Sequence, residues 1–162
     1  MRKMRRSDRA TTAEKAWEIL EKAEYMTLSM MGAEGVPYGV TLSFARVGES
    51  LYFHCANEGY KLDSLRKNPA VCVNAVYQQR TKAEEFTVAF ESAVAFGKAF
   101  EATEQAEKET GLLAICKKYA PENTGAAAYI AQYPQVSVWR IDVSELSGKI
   151  HDWVNSSSSS TR

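Results

Sequence analysis

Between residues 36 and 44 the chain reads VPYGVTLSF, with Val36, Tyr38, Val40, Leu42 and Phe44 at every second position. Apolar residues at period two mark a half-buried β-strand, because successive side chains point to opposite faces. The opposite face carries Pro37, Gly39, Thr41, Ser43 and Ala45, all small or compact. A solvated strand face ordinarily carries Lys, Glu or Arg, so this one is expected to lie under something that approaches the backbone closely.

Five further stretches read as strands: residues 25–31, 51–56, 71–77, about 88–100 and 136–143. The turn VGES, 47–50, should return the chain so that 51–56 pairs with 36–44. The polar run QQRTKAEE, 78–85, reads as a loop. In 88–100, Val88, Phe90, Ser92, Val94 and Phe96 oppose Ala89, Glu91, Ala93, Ala95 and Gly97. This second small face fits either a ligand or a closely packed helix. Glu91 within it is expected to pair with Arg140 or Lys98.

Helices fill the gaps. Thr11 and Glu14 have capping-box spacing ahead of Ala16, Trp17, Leu20 and Ala23, which predicts a helix over 12–23. Leu62 and Leu65 define a short helix ended by Asn68-Pro69. Thr103 is placed to cap another, running through Leu112, Leu113, Cys116 and Tyr119, with Gly111 as a weak point. GAAAYIAQ, 125–132, makes the last. Six strands joined mostly by short turns, with helices around them, predict a mainly β fold, an antiparallel barrel decorated by helices. One domain is expected over 1–150, followed by a disordered Ser-rich tail over 151–162 that also frays His151.

Charge and cysteine usage narrow the function classes. Lys plus Arg and Asp plus Glu each number 20, so net charge gives no reason to expect a nucleic-acid partner. The basic start MRKMRRSDRA lacks the apolar run of a secretion signal, and no stretch reaches membrane-spanning length. Cys55, Cys72 and Cys116 are far apart and the chain has 2 histidines, so no zinc-ligand spacing exists. The expectation is a reduced, cytoplasmic protein.

The stretch with most chemistry is YFHCANEGYKLDSLRKNP, 52–69. Gly59 stands where a strand gives way to a helix, and the first turn of a helix offers unpaired N–H groups and a positive dipole end. Such a turn binds phosphate, glycine lets the anion reach the backbone, and Lys61 adds a charge. With the small face of Gly39, Thr41, Ser43 and Ala45, a flat ring could lie on the strand with its phosphate arm at the turn. A solvated turn is the bland alternative. His54 shares a strand face with Tyr52 and Ala56. It reads as a partly buried histidine, a proton donor beside a reducible substrate, a cofactor contact or a haem ligand. Cys55 faces the other way and reads as core. Trp139 reads as a core or interface aromatic.

These residues resemble the flavin-binding split-barrel superfamily that includes pyridoxamine phosphate oxidase, and within it the nitroimidazole-resistance (Nim-type) proteins. The likeness rests on PYGVTLSF at 37–44, YFHCANEGYKLDSLRKNP at 52–69, AFGKA at 95–99 and WRIDVSELSGK at 139–149. The resemblance implies a six-stranded antiparallel split β-barrel with flanking helices, forming a homodimer with FMN at the subunit interface. By position, Val40, Thr41, Leu42 and Ser43 would line the flavin ring, followed by Phe53 and His54. Lys61, beside Gly59, would take the phosphate, and Trp139 would contribute near the interface. In Nim-type relatives the residue matching His54 sits near the flavin and is thought to take part in the chemistry.

The pattern departs from the oxidases in two ways. Tyr60 stands where they carry an Arg before the phosphate-binding Lys, and their C-terminal substrate-binding arginine pattern is absent. Pyridoxamine phosphate oxidation is therefore not expected. Tyr60 could lend its hydroxyl instead, or Arg5 or Arg6 a charge from a partner chain. The resulting expectation is an FMN-dependent oxidoreductase in which NADH or NADPH reduces a small electron-poor, nitroaromatic-like molecule and His54 donates a proton or orients. The rivals are a haem-binding split barrel with His54 as axial ligand and a flavin binder without turnover.

Overall fold

The computed structural model describes residues 3–132 and 135–152. Among them are eight β-strands and four α-helices: β1 (Ala10–Thr11), α1 (Ala13–Lys22), β2 (Met26–Met31), β3 (Pro37–Leu42), β4 (Ala45–Val47), β5 (Ser50–Cys55), α2 (Tyr60–Lys67), β6 (Ala70–Lys82), β7 (Thr87–Glu101), α3 (Gln105–Tyr119), α4 (Ala126–Gln132) and β8 (Ser137–His151). One antiparallel sheet runs β3-β2-β6-β7-β8-β5-β4, with β1 added alongside β8. Its two end strands, β3 and β4, are consecutive in the chain and separated by only Ser43 and Phe44. Two residues span a few ångströms, so the sheet curls until its far edges nearly meet: an antiparallel split barrel.

That curl corrects the expected pairing and strand count. The alternating segment is two strands, because at Ser43–Phe44 the chain leaves one edge of the sheet for the other. β3 pairs with β2, Gly39 opposite Ser29, while β4 pairs with β5. With the two-residue β1, this makes eight strands where six were expected. The alternation itself holds. Tyr38, Val40 and Leu42 pack against the core, and Pro37, Gly39, Thr41 and Ser43 are exposed, whereas Ala45 is buried.

The polar run after Tyr77 is strand and not loop. β6 and β7 continue as a ribbon, Lys82 opposite Thr87, beyond a bulge at Val76–Gln78. Ladder hydrogen bonds outweigh a composition that merely suits solvent on both faces. β8 likewise runs to His151, whose ring meets the Thr87 hydroxyl at 3.2 Å and lies against Phe90, so His151 is not frayed. The Ser-rich tail itself lies outside the described residues.

A single core fills the curl. Leu28, Phe44, Leu51, Phe53, Val73 and Ile141 are among its fully buried members, and α1 adds Ala16, Ile19 and Leu20. The cap of α1 is Thr12, whose hydroxyl accepts the Lys15 N–H at 3.2 Å, one residue beyond the expected Thr11. The small face of β7 is buried, and α1 lies across β6, β7 and β8. Helix packing therefore explains that face. Glu91 on it pairs with neither Arg140 nor Lys98 but with Lys15 on α1, Nζ to Oε1 3.5 Å.

The outer face of β5 and β8 is roofed by α3, over Tyr52 and Val138. The helix begins after Glu104, with no side-chain cap, so Thr103 does not cap it. A Cβ on Gly111 would come within 2.5 Å of Tyr52 Cδ1. The residue that weakens the helix locally is the one that lets it approach the sheet.

Candidate cofactor-binding site

α2 is seated by contacts to the β2–β3 turn. Ser64 Oγ accepts the Ala33 N–H at 3.0 Å and donates to the Tyr60 carbonyl at 2.6 Å. Lys67 Nζ donates to the Ala33 carbonyl at 2.6 Å. Leu62 and Leu65 face the core as expected. Tyr60 stands edge-on to Tyr38, ring centroids 5.0 Å apart, and its hydroxyl donates to Glu34 Oε2 at 3.3 Å. The hydroxyl that could have served a phosphate is engaged elsewhere. Arg6 is likewise committed, to Asp8 of its own chain at 2.5 Å.

These contacts place the start of α2 beside β3. Gly59 is the N-cap, with φ 128° and ψ 162°, and no side chain caps the helix. An L side chain rarely adopts that φ, and the space a Cβ would take is open. The N–H groups of Leu62 and Asp63 turn back to the Gly59 carbonyl at 2.8 and 3.2 Å, which leaves the first-turn N–H groups before them for an anion. Lys61 is half-buried, its ammonium 5.5 Å from the centroid of the Phe53 ring.

On β3 the exposed small residues continue into β2. A Cβ on Gly39 would lie 3.7 Å from both Ser29 Oγ and Thr27 Cγ2, so Thr27, Ser29, Gly39 and Thr41 form one low platform. Val40 and Leu42 turn their side chains toward the core, and only their backbone borders this platform. Phe53 is fully buried and Trp139 nearly so, their rings stacked at 6.4 Å and 13°, with Trp139 Nε1 donating to Ser137 Oγ at 3.0 Å. Trp139 is thus the core aromatic of the two readings.

The chain's turn brings His54 and Lys61 into one electrostatic neighbourhood. His54 is exposed where a partly buried histidine was one of the readings, yet partial desolvation of its ring, and secondly the Lys61 ammonium, hold the imidazole below its ordinary 6.5. The ring is neutral at pH 7. It lines a cavity of about 650 Å³ with Cys55, Ala56, Asn57, Gln132, Gln135 and Val136. Burial raises the Cys55 thiol against a smaller opposing pull from Lys61. Sequence reasoning missed Asn57 and the two glutamines. Asn57 sat inside the quoted stretch, but nothing local signals that residues some eighty positions later meet it.

A planar group with a phosphate arm fits these residues. The anion meets unpaired N–H groups and one lysine, and the ring meets side chains too short to hold it off; Glu58 precedes the turn and Asp63 lies in the helix's first turn, so Lys61 also offsets nearby negative charge. Among the described residues no helix is long and apolar enough to cross a membrane.

Comparison with known proteins agrees with the architecture. A candidate 5-nitroimidazole antibiotic resistance protein from Bacteroides thetaiotaomicron superposes with a TM-score of 0.73 at 24% identity, over 87% of this chain and 86% of that one. The flavocytochrome Anf3 from Azotobacter vinelandii gives 0.76 at 20%, over 93% and 73%. An FAD and heme binding protein from Mycobacterium smegmatis gives 0.72 at 19%, over 88% and 73%. No curated protein matches significantly. A family profile for pyridoxamine 5'-phosphate oxidase matches residues 12–150. The chain belongs to the pyridoxamine 5'-phosphate oxidase family of split barrels.

Proposed function

We propose that this protein binds FMN and acts as an oxidoreductase, passing electrons from NADH or NADPH to a small electron-poor molecule of nitroaromatic kind. One observation carries the reading: an uncapped helix start, with Gly59 in a glycine-only conformation and Lys61 beside it, adjoins an exposed platform of small residues. When bound, FMN would supply the electron-transfer chemistry. The chain's own residues bind and orient. Gly59, Lys61 and the first-turn N–H groups hold the phosphate. Thr41, Ser43 and the backbone of Val40 and Leu42 underlie the ring, and Phe53 fixes the lysine from beneath. His54, neutral at pH 7, donates a hydrogen bond to the substrate from its ring N–H and becomes a full proton donor only in acid.

The exposed platform, with Val76, Tyr77 and Phe96 on the same sheet, suits cover by a second copy, and we propose a cytoplasmic homodimer.

A haem-binding reading has its own support. His54 lines a cavity with a neutral imidazole, the form that could ligate a haem iron, and both the flavocytochrome and the FAD and heme binding protein share the fold. The visible spectrum of the purified protein separates the readings. A flavin band, with FMN released on heating, supports the proposal, and a Soret band lost in His54→Ala supports the haem reading. A colourless protein that ignores added FMN overturns the first reading. Flavin retained in His54→Ala with nitroaromatic reduction at the parent rate removes His54 from the chemistry.

A further inference from the structure

Next to this site, and sharing Ser43 with it, the end of α3 carries a lysine in an unusual setting. Lys118 Nζ sits 3.8 Å from the centroid of the Phe44 ring and 3.5 Å from the Leu20 carbonyl. It borders two adjoining cavities, of about 480 and 330 Å³, between the C-terminal end of α1, β4 and α3. Glu21 borders both, but its carboxylate is held by Arg46 Nη1 at 2.8 Å, and Lys22 is turned to Glu18. Among the described residues no carboxylate pairs with Lys118. Glu24 and Tyr25 reach only the larger cavity. In the smaller one the ionised groups are Glu21, Arg46, Lys117 and Lys118, an excess of positive charge.

We propose that Lys118 is an amine nucleophile that forms an imine with small phosphorylated aldehydes seated in this cleft. The Phe44 ring and the Leu20 carbonyl hold Nζ at the cavity wall. Arg46 is balanced by Glu21, so the phosphate falls to Lys117, which no carboxylate pairs with among the described residues. The Nζ lone pair adds to the aldehyde carbon, the carbonyl oxygen takes up a proton, and loss of water closes the C=N bond. No oxidant or reductant enters, and water reverses the step. Burial brings the amine down to about 8, against a smaller opposing pull from Glu21. At pH 7.5 about a quarter of it is then unprotonated, against about a thousandth for an ordinary lysine.

Incubating the full-length protein with a limiting amount of glyceraldehyde 3-phosphate at pH 7.5, trapping with cyanoborohydride and mapping the peptides tests this directly. The expected result is modification of Lys118 at least tenfold above the mean of the other lysines. Lys117→Ala should reduce it severalfold, and glyceraldehyde without the phosphate should label Lys118 correspondingly less. Labelling that follows surface exposure alone, or enrichment at Lys118 that is indifferent to the phosphate, overturns the proposal. Because the parent protein carries the assay, no variant has to fold for the answer to be read.

Discussion

The hydroxyl of Tyr119 accepts the Phe44 N–H at 3.0 Å and shares its single proton between the Phe44 carbonyl, 3.2 Å away, and the Glu24 carbonyl ahead of β2. Phe44 needs that partner, since it occupies the gap between two strands on opposite sheet edges and has no ladder of its own. One phenol thereby pins the split in the barrel. Tyr119→Phe should leave those groups unsatisfied and cost about 1–3 kcal/mol, read as a lowered urea midpoint at unchanged slope.

Lys61→Ala should weaken FMN binding about 10- to 100-fold, the loss of one charge-assisted phosphate contact. Titration followed by quenching of flavin fluorescence measures it. Riboflavin, which has no phosphate, should bind the parent and the variant alike. An equal loss for both ligands would place Lys61 elsewhere than on the phosphate.

His54 gives a pH dependence whose sign is fixed. Its folded pKa lies below 6.5, so below that pH the unfolded chain takes up a proton that the folded chain resists. Stability from this group is therefore present at neutral pH and falls as pH drops through 6.5. Any imidazolium-driven part of the reduction rate should rise further into acid, where the folded ring itself takes up the proton. His54→Gln should flatten both trends, seen in denaturation midpoints and initial rates between pH 5 and 8.

Gly111→Ala sets a local preference against a packing clash. Alanine favours the helix by about 1 kcal/mol, but its Cβ would meet Tyr52 Cδ1 at 2.5 Å and Val138 Cγ1 at 3.1 Å. Overpacking of this kind costs about 1–3 kcal/mol. The net outcome expected is a lower melting temperature, with the helical circular dichroism signal retained.

Gly111 also marks the limit of what could be read in advance. Helix propensity is written in the residue and its neighbours, whereas the close approach that uses this glycine depends on Tyr52, far away in the chain. The alternation of residues 36–44 was legible for the same reason that its division into β3 and β4 was not. Period two is local, but leaving one sheet edge for the other at Ser43–Phe44 depends on strands formed by residues as late as 151. The polar ribbon beyond Tyr77 looked like a loop because its pairing partner, not its composition, makes it a strand. At the site, Gly59, Lys61 and His54 were visible because one continuous stretch carries them. The Lys15 partner of Glu91 and the cavity glutamines were not, because they arrive from other elements.

The sheet order has a consequence for how the chain is born. β5 lies between β4 and β8, and its register joins Ser50 to Asp142 and Cys55 to Ser137. During synthesis the β4–β5 hairpin must therefore wait, one long edge bare, until residues 137–142, some ninety positions later, have left the ribosome. Contacts so distant in sequence are slow to form, on the order of milliseconds to seconds, and an unpaired edge invites strands from other molecules. The interval before β8 arrives is when this protein is most exposed to aggregation, and the segment then in need of shelter also carries His54.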